Sequence, residues 1–474
     1  MKKQLSASKM FLLATGHMGY LFLLRTLSTY VLRFFAPTES TGLPLLLPIG
    51  VIGVIQGISI AFDAIIDPWI ASVSDNSKNP KGRRIPLMRI AAIPAAVFCI
   101  LVFFVPVHQP SWINVVWVLV MLFLYCLSRS FYDISIRALV PEIIPDAYKR
   151  TRYFAILAVY QIIGFMLLGT VPTIITALEN FGMSSLPAWQ TSLSLYPVIG
   201  VIMMLIGAFS VRETDYAEPT PETQASNGMF SSIKDVLKNK EFVTFLIGVM
   251  AFDFASGMFN AALLFIIDLL LELDAAMYTV VVVLLTVVSL ILYIPILKLI
   301  KRVGKRRLML LSILICALIF VASYFHEPLS NLLGTGAVAA GGMWAQIAGE
   351  GAKVGNIALL LILGVLFAYP QAAGGVVGSS MFADIAQYND VITGQNRKGM
   401  VMALASIISV LPNTLVPAVL GWLLYAGSTN DMPTAFGARS TMLVSIGFII
   451  IAYIQYFRYN EKKVFASIVT DNDK

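Results

Sequence analysis

Two short basic stretches occupy corresponding places in this sequence: Asp75-Asn-Ser-Lys-Asn-Pro-Lys-Gly-Arg-Arg84 and Lys301-Arg-Val-Gly-Lys-Arg-Arg307. Each contains a glycine beside clustered lysines and arginines, and each lies between two long apolar segments. The first stretch follows the second apolar segment of the chain, and the second follows the eighth. A recurrence after six segments predicts two related units of six helices each.

The composition indicates a membrane protein. Of 474 residues, 58% are hydrophobic and 12% are charged, whereas soluble domains carry about 25% charged residues. Apolar runs longer than about 18 residues recur, and each is long enough to cross a hydrocarbon layer of about 30 Å. The predicted spans are 9–35, 44–72, 85–107, 112–139, 152–178, 190–211, 241–272, 275–301, 306–326, 355–383, 398–427 and 436–458. The sequence therefore predicts an all-α membrane protein with twelve transmembrane helices.

The longest polar break divides these spans into two equal sets. It predicts an N-terminal six-helix bundle over 1–211, a cytoplasmic linker over 212–240 and a C-terminal six-helix bundle over 241–474. Helical apolar spacing at 230–239 predicts a surface helix within the linker. A Gly- and Ala-rich loop at 327–355 is interpreted as an insertion rather than a mobile flap. Two six-span repeats are the architecture of the major facilitator fold, with a substrate cavity between the halves.

The net charge of +7 is a topology signal and not a nucleic-acid footprint. Basic residues cluster after spans 2, 4, 8, 10 and 12, whereas the opposite loops carry almost none apart from Lys353. This asymmetry predicts an inner (plasma) membrane protein with both termini in the cytoplasm. The first apolar run is too long for a secretory signal and lacks a cleavage site, so we expect it to be retained as span 1.

Two aspartates lie inside the second predicted span, in the stretch Phe62-Asp-Ala-Ile-Ile-Asp-Pro68. Ionisable groups at this depth are costly and need a partner, water or a function. Asp63 and Asp67 share one helix face and repel each other unless a cation or a proton lies between them. Pro68 leaves the carbonyl of Ala64 without its helical partner. The pattern predicts a bound H⁺ or Na⁺; the alternative is a carboxylate pair neutralised by nearby arginines.

Span 4 carries a second set of charges. Arg129, Asp133 and Arg137 follow one another at four-residue spacing, so part of their charge is compensated within the helix. Counted from the cytoplasmic loops, Asp133 lies at the depth of Asp67, which predicts that the two converge on one site. Arg25 in span 1 is too deep to reach the headgroups, and we expect it to face the cavity or an aspartate.

Two other ionisable residues within spans have different expectations. Arg33, near the outer end of span 1, is predicted to reach the outer headgroups. Asp253 in span 7 has no partner visible in the sequence, and its role is left open.

Motifs of nucleotide-driven or enzymatic chemistry are not found in the sequence. It contains neither a phosphate-binding loop, nor a Gly-rich strand-to-helix fingerprint, nor a His/Cys metal spacing. Transport would therefore draw on an ion gradient or on the gradient of the substrate itself.

Four stretches spread over both halves resemble one known family. They are Asp63 to Pro68; Tyr132-Asp-Ile134 with Leu139-Val-Pro141; Arg152-Tyr-Phe-Ala155; and Asp384-Ile-Ala-Gln-Tyr388 with Thr393-Gly394 and Arg397-Lys-Gly399. Together they resemble the glycoside–pentoside–hexuronide:cation symporters, and the resemblance covers nearly the whole chain. It implies a major facilitator fold and cation-coupled transport of a sugar derivative.

The resemblance also implies roles for single residues. Asp63 and Asp67 match the cation-binding carboxylates of the family, and Ser130 matches a hydroxyl near them. Asp133 and Arg152 match residues at the sugar site.

Four features depart from the family pattern, one of them a pair of residues. An asparagine between the two aspartates is Ile66 here, so the ion site lacks one amide oxygen, which favours H⁺ over Na⁺. A Lys-Asp pair in helix 1 appears as His17-Met18, a helix 4 tryptophan is Arg137, and a helix 11 lysine is Ile392. Loss of an acidic contact and gain of a guanidinium favour an anionic sugar such as a hexuronide. A neutral glycoside stays the alternative, because Asp133 can consume the charge of Arg137.

Together these observations predict a cation-coupled secondary transporter that works by alternating access, with the lipid bilayer and a small sugar-like molecule as its partners. It needs no cofactor beyond the coupling ion, H⁺ or Na⁺. The predicted substrate-binding residues are Asp133, Arg137, Arg152, Arg25 and His17. One alternative is a uniporter, or a transporter of another small organic anion. Another is a membrane receptor or scaffold, against which the costly buried carboxylates argue.

Overall fold

The structure is a computed structural model that describes most of residues 5–216 and 239–464. Within these ranges it leaves out positions 49, 76, 78, 81, 145–146, 379, 383, 386–387, 389–410, 413–414 and 429–431. In the described residues the regular secondary structure is helical, apart from one isolated β-bridge between Ala337 and Lys353. The predicted all-α fold is confirmed.

The chain divides into two compact units, Met1–Thr223 with Ser428–Pro433, and Gln224–Gly427 with Thr434–Lys474. The predicted linker, 212–240, contains the point of division. The predicted surface helix at 230–239 lies outside the described residues except for Asn239, whose side chain caps the helix that follows.

The N-terminal unit contains helices whose ends follow local signals. They are α1 Ala7–Phe35, α2 Val51–Asp75, α3 Ile85–Leu101, α4 Trp112–Ile143, α5 Ala147–Leu168, α6 Val171–Asn180, α7 Ser185–Ser210 and α8 Glu213–Tyr216. Ser6 and Ser111 accept hydrogen bonds from the first turns of α1 and α4, as N-cap serines do. Helix α1 packs closely on α7, where a Cβ on Gly16 would lie 2.9 Å from the Cα of Gly207. Small residues at such crossings let helix backbones approach within a membrane.

The C-terminal unit repeats this type of packing with longer loops. Its helices are α9 Lys240–Phe265, α10 Ala276–Val303, α11 Lys305–Tyr324, α12 His326–Leu333, α13 Met343–Ala348, α14 Val354–Ala373 and α15 Ala435–Arg458. Helices α9 and α14 continue as π-helical turns at Ile266–Leu270 and Gly374–Gly378. Between α10 and α11, Gly304 takes a φ of 89°, a conformation that glycine adopts without steric cost.

Ten helices in the described part are long and apolar enough to cross a membrane. Two shorter apolar helices, Ile85–Leu101 and Leu415–Leu424, lie at the places of predicted spans 3 and 11. The count of twelve spans stays a prediction. The second span begins at Val51 and not at 44, because Pro44 and Pro48 lack the N–H that a helix needs.

The loop at 327–355, interpreted as an insertion, contains most of α12, all of α13 and the Ala337–Lys353 bridge. One expectation is corrected by the structure. Arg33 does not reach the headgroups: it is 1% exposed, because it lies on the face of α1 that is turned into the bundle.

The two basic stretches that revealed the repeat are anchored in the same way. In the N-terminal unit, the backbone N–H groups of Arg84 and Ile85 donate to the Glu213 carboxylate at 2.8 and 3.2 Å. In the C-terminal unit, the backbone N–H groups of Lys305 and Arg306 donate to Glu461 at 2.8 and 3.1 Å. A carboxylate thus satisfies the free N–H groups at the start of α3 and of α11, where the helix dipole favours negative charge.

Candidate cation and substrate site in the N-terminal unit

A connected polar cluster lies inside the N-terminal unit, with Arg129 of α4 at its centre. The guanidinium of Arg129 donates to the carboxylate of Asp63 on α2. It also donates to the hydroxyl of Tyr20 on α1 at 2.8 Å. Its side chain is 9% exposed. A buried guanidinium is tolerated only with such partners, so Arg129 links three helices through charge-assisted hydrogen bonds.

Asp133 lies between two arginines on α4. It accepts a hydrogen bond from Arg137 Nε at 2.6 Å and from the Tyr20 hydroxyl at 3.1 Å. Arg129 Nη1 lies 3.9 Å from Oδ2 of Asp133. The expected compensation within helix 4 is therefore seen in the contacts. The side chain of Arg137 is 64% exposed, and it also lies within hydrogen-bonding reach of the Tyr20 hydroxyl.

The two aspartates of α2 have different surroundings. Ser130 donates to Asp63 at 2.8 Å and lies within hydrogen-bonding reach of Asp67. Asp63 is also bound by Arg129, which is the arrangement of the alternative interpretation. By contrast, Asp67 Oδ1 is buried and accepts no hydrogen bond from any residue that the structure describes. Of the two aspartates, Asp63 is therefore neutralised by Arg129, whereas Asp67 is not neutralised by an ion pair with any residue that the structure describes.

A charge count sums up the cluster. Asp63, Asp67 and Asp133 supply three carboxylates, and Arg129 and Arg137 supply two guanidinium groups. With every group ionised, these five side chains carry one negative charge in excess. One proton or one monovalent cation at Asp67 would balance it. Among the described residues, these three aspartates included, no group of three or more His, Cys, Asp or Glu side chains is placed to hold a metal ion.

The other predicted site residues occupy different positions. His17 is 8% exposed, and its ring packs edge-on against Tyr20 with centroids 5.5 Å apart. It therefore contacts the cluster through the Tyr20 ring. Arg25 is exposed. The side chain of Arg152 lies outside the part that the structure describes. The role of each stays a prediction.

Arg129 and Tyr20 are the members of the cluster that the sequence does not predict as site residues: Arg129 is expected only to compensate Asp133, and Tyr20 is one of several aromatic residues interpreted as packing or interface anchors. The chain has 18 tyrosines, and a tyrosine within an apolar span usually packs or anchors at an interface. The one available signal is its place three residues after His17, on the same helix face.

Comparison with known proteins assigns the family. Residues 12–458 match the model of the family described as MFS/sugar transport protein. The chain belongs to this family. The predicted membership of the glycoside–pentoside–hexuronide:cation symporter family is confirmed. With ten apolar helices in its described part, the chain is a multi-pass membrane protein. Proteins of the family are transporters, which agrees with the prediction that the chain is not an enzyme.

Two curated relatives are lactose permeases. That of Lactobacillus helveticus is 23% identical over 209 residues, which cover 42% of this chain and 33% of that protein. That of Leuconostoc lactis is 24% identical over 282 residues, which cover 56% and 43%. The aligned part thus spans less than half the length of these relatives.

Solved transporters share the fold over almost the whole chain. A mutant of the nucleoside transporter NupG matches with a TM-score of 0.63 at 11% identity, covering 96% of this chain and 99% of that one. A proton-dependent oligopeptide transporter matches with a TM-score of 0.63 at 11% identity, covering 98% and 100%. At this identity the matches show the fold alone, and the fold is the predicted major facilitator type.

Proposed function

We propose that this protein is a secondary active transporter that couples uptake of a sugar derivative to a cation carried by Asp67. The observation that carries the proposal is the unneutralised Asp67 beside a balanced chain of Asp63, Arg129, Asp133 and Arg137. Within a membrane span, a carboxylate that makes no ion pair with the described residues is costly. Binding of a cation or a proton removes this cost and so favours the conformational change of an alternating-access cycle.

The coupling ion that fits best is H⁺. Of the two α2 carboxylates, Asp63 is already bound by Arg129 and Ser130. Few oxygen ligands are therefore left beside Asp67 to replace the water molecules that surround Na⁺. Ile66 supplies no oxygen ligand beside it. A proton needs one carboxylate and no further ligands.

The substrate class that fits best is an anionic sugar such as a hexuronide. The side chain of Arg137 is 64% exposed, and its guanidinium can bind a substrate carboxylate through two parallel hydrogen bonds. The family and the lactose permease relatives support a sugar. A neutral glycoside is the second candidate, and it is favoured by the 2.6 Å bond that already ties Arg137 to Asp133.

The test is uptake by proteoliposomes that contain the purified full chain. Radiolabelled glucuronide and glucoside are offered with an imposed proton gradient, with a sodium gradient at fixed pH, and with no gradient. We expect accumulation of the glucuronide with the proton gradient alone. Asp67→Asn is expected to lose accumulation while it still exchanges substrate across the membrane, and the matched control Asp268→Asn is expected to behave as the wild type.

Three outcomes would contradict parts of the proposal. Accumulation driven only by sodium would assign Na⁺ as the coupling ion. Equal uptake under all three conditions would indicate a uniporter. Failure to transport or bind any sugar, in a protein that is folded and monodisperse, would contradict the proposed function itself.

A further inference from the structure

A second set of polar residues lies on one face of α9, in the C-terminal unit. Asp253, Gly257 and Asn260 follow one another at spacings of four and three residues, so they share a helix face. All three are partly exposed. The neighbours Phe252 and Phe254 are 5% and 3% exposed and point into the bundle. Asp253 thus points in a different direction from these two rings, toward a partly exposed position.

This face does not have the composition of a lipid-facing surface. On α10 the exposed side chains before Lys298 are apolar, as for Ile291 and Ile294 at 65% and 64% exposure. The α9 face instead presents a carboxyl, a glycine and an amide. Asp253 lies near the middle of the span Lys240–Leu270, where an ionisable group must face water or a partner. In the described part of the chain its carboxyl makes neither an ion pair nor a hydrogen bond with another side chain.

The groups on this face match the hydrogen-bonding needs of a polyol. The Asp253 carboxylate is an acceptor with two oxygens and receives two hydroxyl donors. The Asn260 amide donates to the Ser256 carbonyl at 2.9 Å, which leaves its own oxygen as an acceptor. Between them, Gly257 adds no side chain. Among the described residues, the nearest neighbour of a Cβ placed there would be Val416, at 3.4 Å.

We propose that the α9 face formed by Asp253, Gly257 and Asn260 is a substrate-binding surface that recognises adjacent sugar hydroxyl groups, with the Asp253 carboxylate as the main acceptor. The inference rests on the proposed function, because it names the groups of the proposed sugar substrate that this face binds. A carboxylate here would disfavour an anionic group of the substrate and favour its neutral hydroxyl-bearing edge. It would thus select polyhydroxylated substrates against anions that lack a diol.

The test measures binding to the purified full chain, with 4-nitrophenyl β-D-glucuronide, 4-nitrophenyl β-D-glucoside and their monodeoxy analogues as probes. For the better-bound probe, Asp253→Asn is expected to weaken the affinity by at least about tenfold, which is the usual effect of losing a hydrogen bond to a charged group. For the monodeoxy analogue that lacks the contacted hydroxyl, wild type and Asp253→Asn should bind with nearly equal affinity. Asn260→Ala is expected to show a smaller loss, and the control Asp268→Asn none.

The outcomes separate this inference from the proposed function. Wild-type affinity in Asp253→Asn and Asn260→Ala would overturn the inference and leave sugar transport standing. Normal binding with loss of proton-driven accumulation in Asp253→Asn would also overturn it, and would make Asp253 a proton carrier. If Asp253→Asn does not fold, the probe affinities of Asn260→Ala and Gly257→Val test the inference instead, since both substitutions alter the face and keep the carboxylate. Wild-type affinity in both would overturn it. If the wild type binds neither probe nor any other sugar, the proposed function fails and the inference fails with it.

Discussion

At the scale of single residues, Asp63 and Asp67 have the same chemistry and different tasks. Asp63 compensates the buried Arg129, whereas Asp67 Oδ1 has no hydrogen-bond partner in the described part of the unit. Removal of one member of a buried ion pair leaves an uncompensated charge, which costs roughly 3–5 kcal/mol. Removal of a carboxylate that has no cationic partner incurs no such cost. We therefore expect Asp63 to stabilise the fold and Asp67 to bind the coupling ion.

This difference predicts opposite effects on stability. Asp63→Asn should lower the free energy of unfolding by roughly 3 kcal/mol, whereas Asp67→Asn should leave it unchanged or raise it. The double variant Asp63→Asn/Arg129→Gln should recover part of the loss, because it removes the uncompensated charge as well. The measurement is thermal unfolding of purified protein in detergent. Equal destabilisation by Asp63→Asn and Asp67→Asn would show that both carboxylates are held by cations.

Arg137 is the residue that distinguishes an anionic from a neutral substrate. With its side chain 64% exposed, it can leave Asp133 for a substrate carboxylate at small cost. We expect Arg137→Gln to reduce glucuronide uptake at least about tenfold, as loss of a charge-assisted bidentate contact would, and to spare any neutral glycoside. Competition assays against labelled substrate measure this. Inhibition of the wild type by neutral glycosides and not by uronides would make Arg137 a structural partner of Asp133.

At the scale of helices and loops, two glutamates anchor the loops that revealed the repeat. Glu213 follows α7 and holds the first N–H groups of α3, and Glu461 follows α15 and does the same for α11. The basic side chains beside them are also bound: Arg84 contacts Glu142 at 2.7 Å and Lys305 contacts Asp384 at 2.5 Å. The same arrangement of acceptors thus recurs in both units.

These caps predict equivalent losses in the two units. Glu213→Gln and Glu461→Gln should each lower the free energy of unfolding by about 1–2 kcal/mol, because a neutral amide accepts these N–H bonds more weakly than a carboxylate. Glu350→Gln, at an exposed loop position, is the matched control and should have little effect. Thermal unfolding of the three variants measures the difference. A cap variant as stable as the control would mean that water replaces the carboxylate without loss.

The caps also show what the sequence could not reveal at this scale. The glycine and the basic cluster are local patterns, and they correctly predicted two related turns. The capping carboxylates lie 129 and 156 residues away in the chain from the N–H groups they bind. A contact at such separation leaves no local signal, so Glu213 reads in the sequence as an ordinary residue of a polar linker.

At the scale of the whole molecule, hydropathy predicted most of the architecture because the bilayer constrains helix length and composition so strongly. The predicted and observed ends of α1, α10 and α15 agree within two residues, and those of α9 agree within two residues once its π-helical turn to Leu270 is included. The site was predictable in part. Four-residue spacing placed Asp133 with Arg129 and Arg137, but the choice of Asp63 rather than Asp67 as partner of Arg129 depends on how α2 packs on α4. That packing is a tertiary property that spacing within one helix does not contain.

The orientation of the whole chain in the membrane follows from the basic residues and can be tested directly. Loops after even-numbered spans carry the lysines and arginines, so reporter fusions after Lys78, Lys234 and Lys305 should all report the cytoplasm. A fusion after Gly342, in the loop that contains α12 and α13, should report the outer side. Because Lys305 lies against Asp384 and Glu461, a fusion there also needs a sandwich design that restores the following residues. The decisive pair is Lys305 and Gly342, since α11 is the one predicted span between them. Signals from the same side at both would remove that crossing and with it the arrangement of two times six spans.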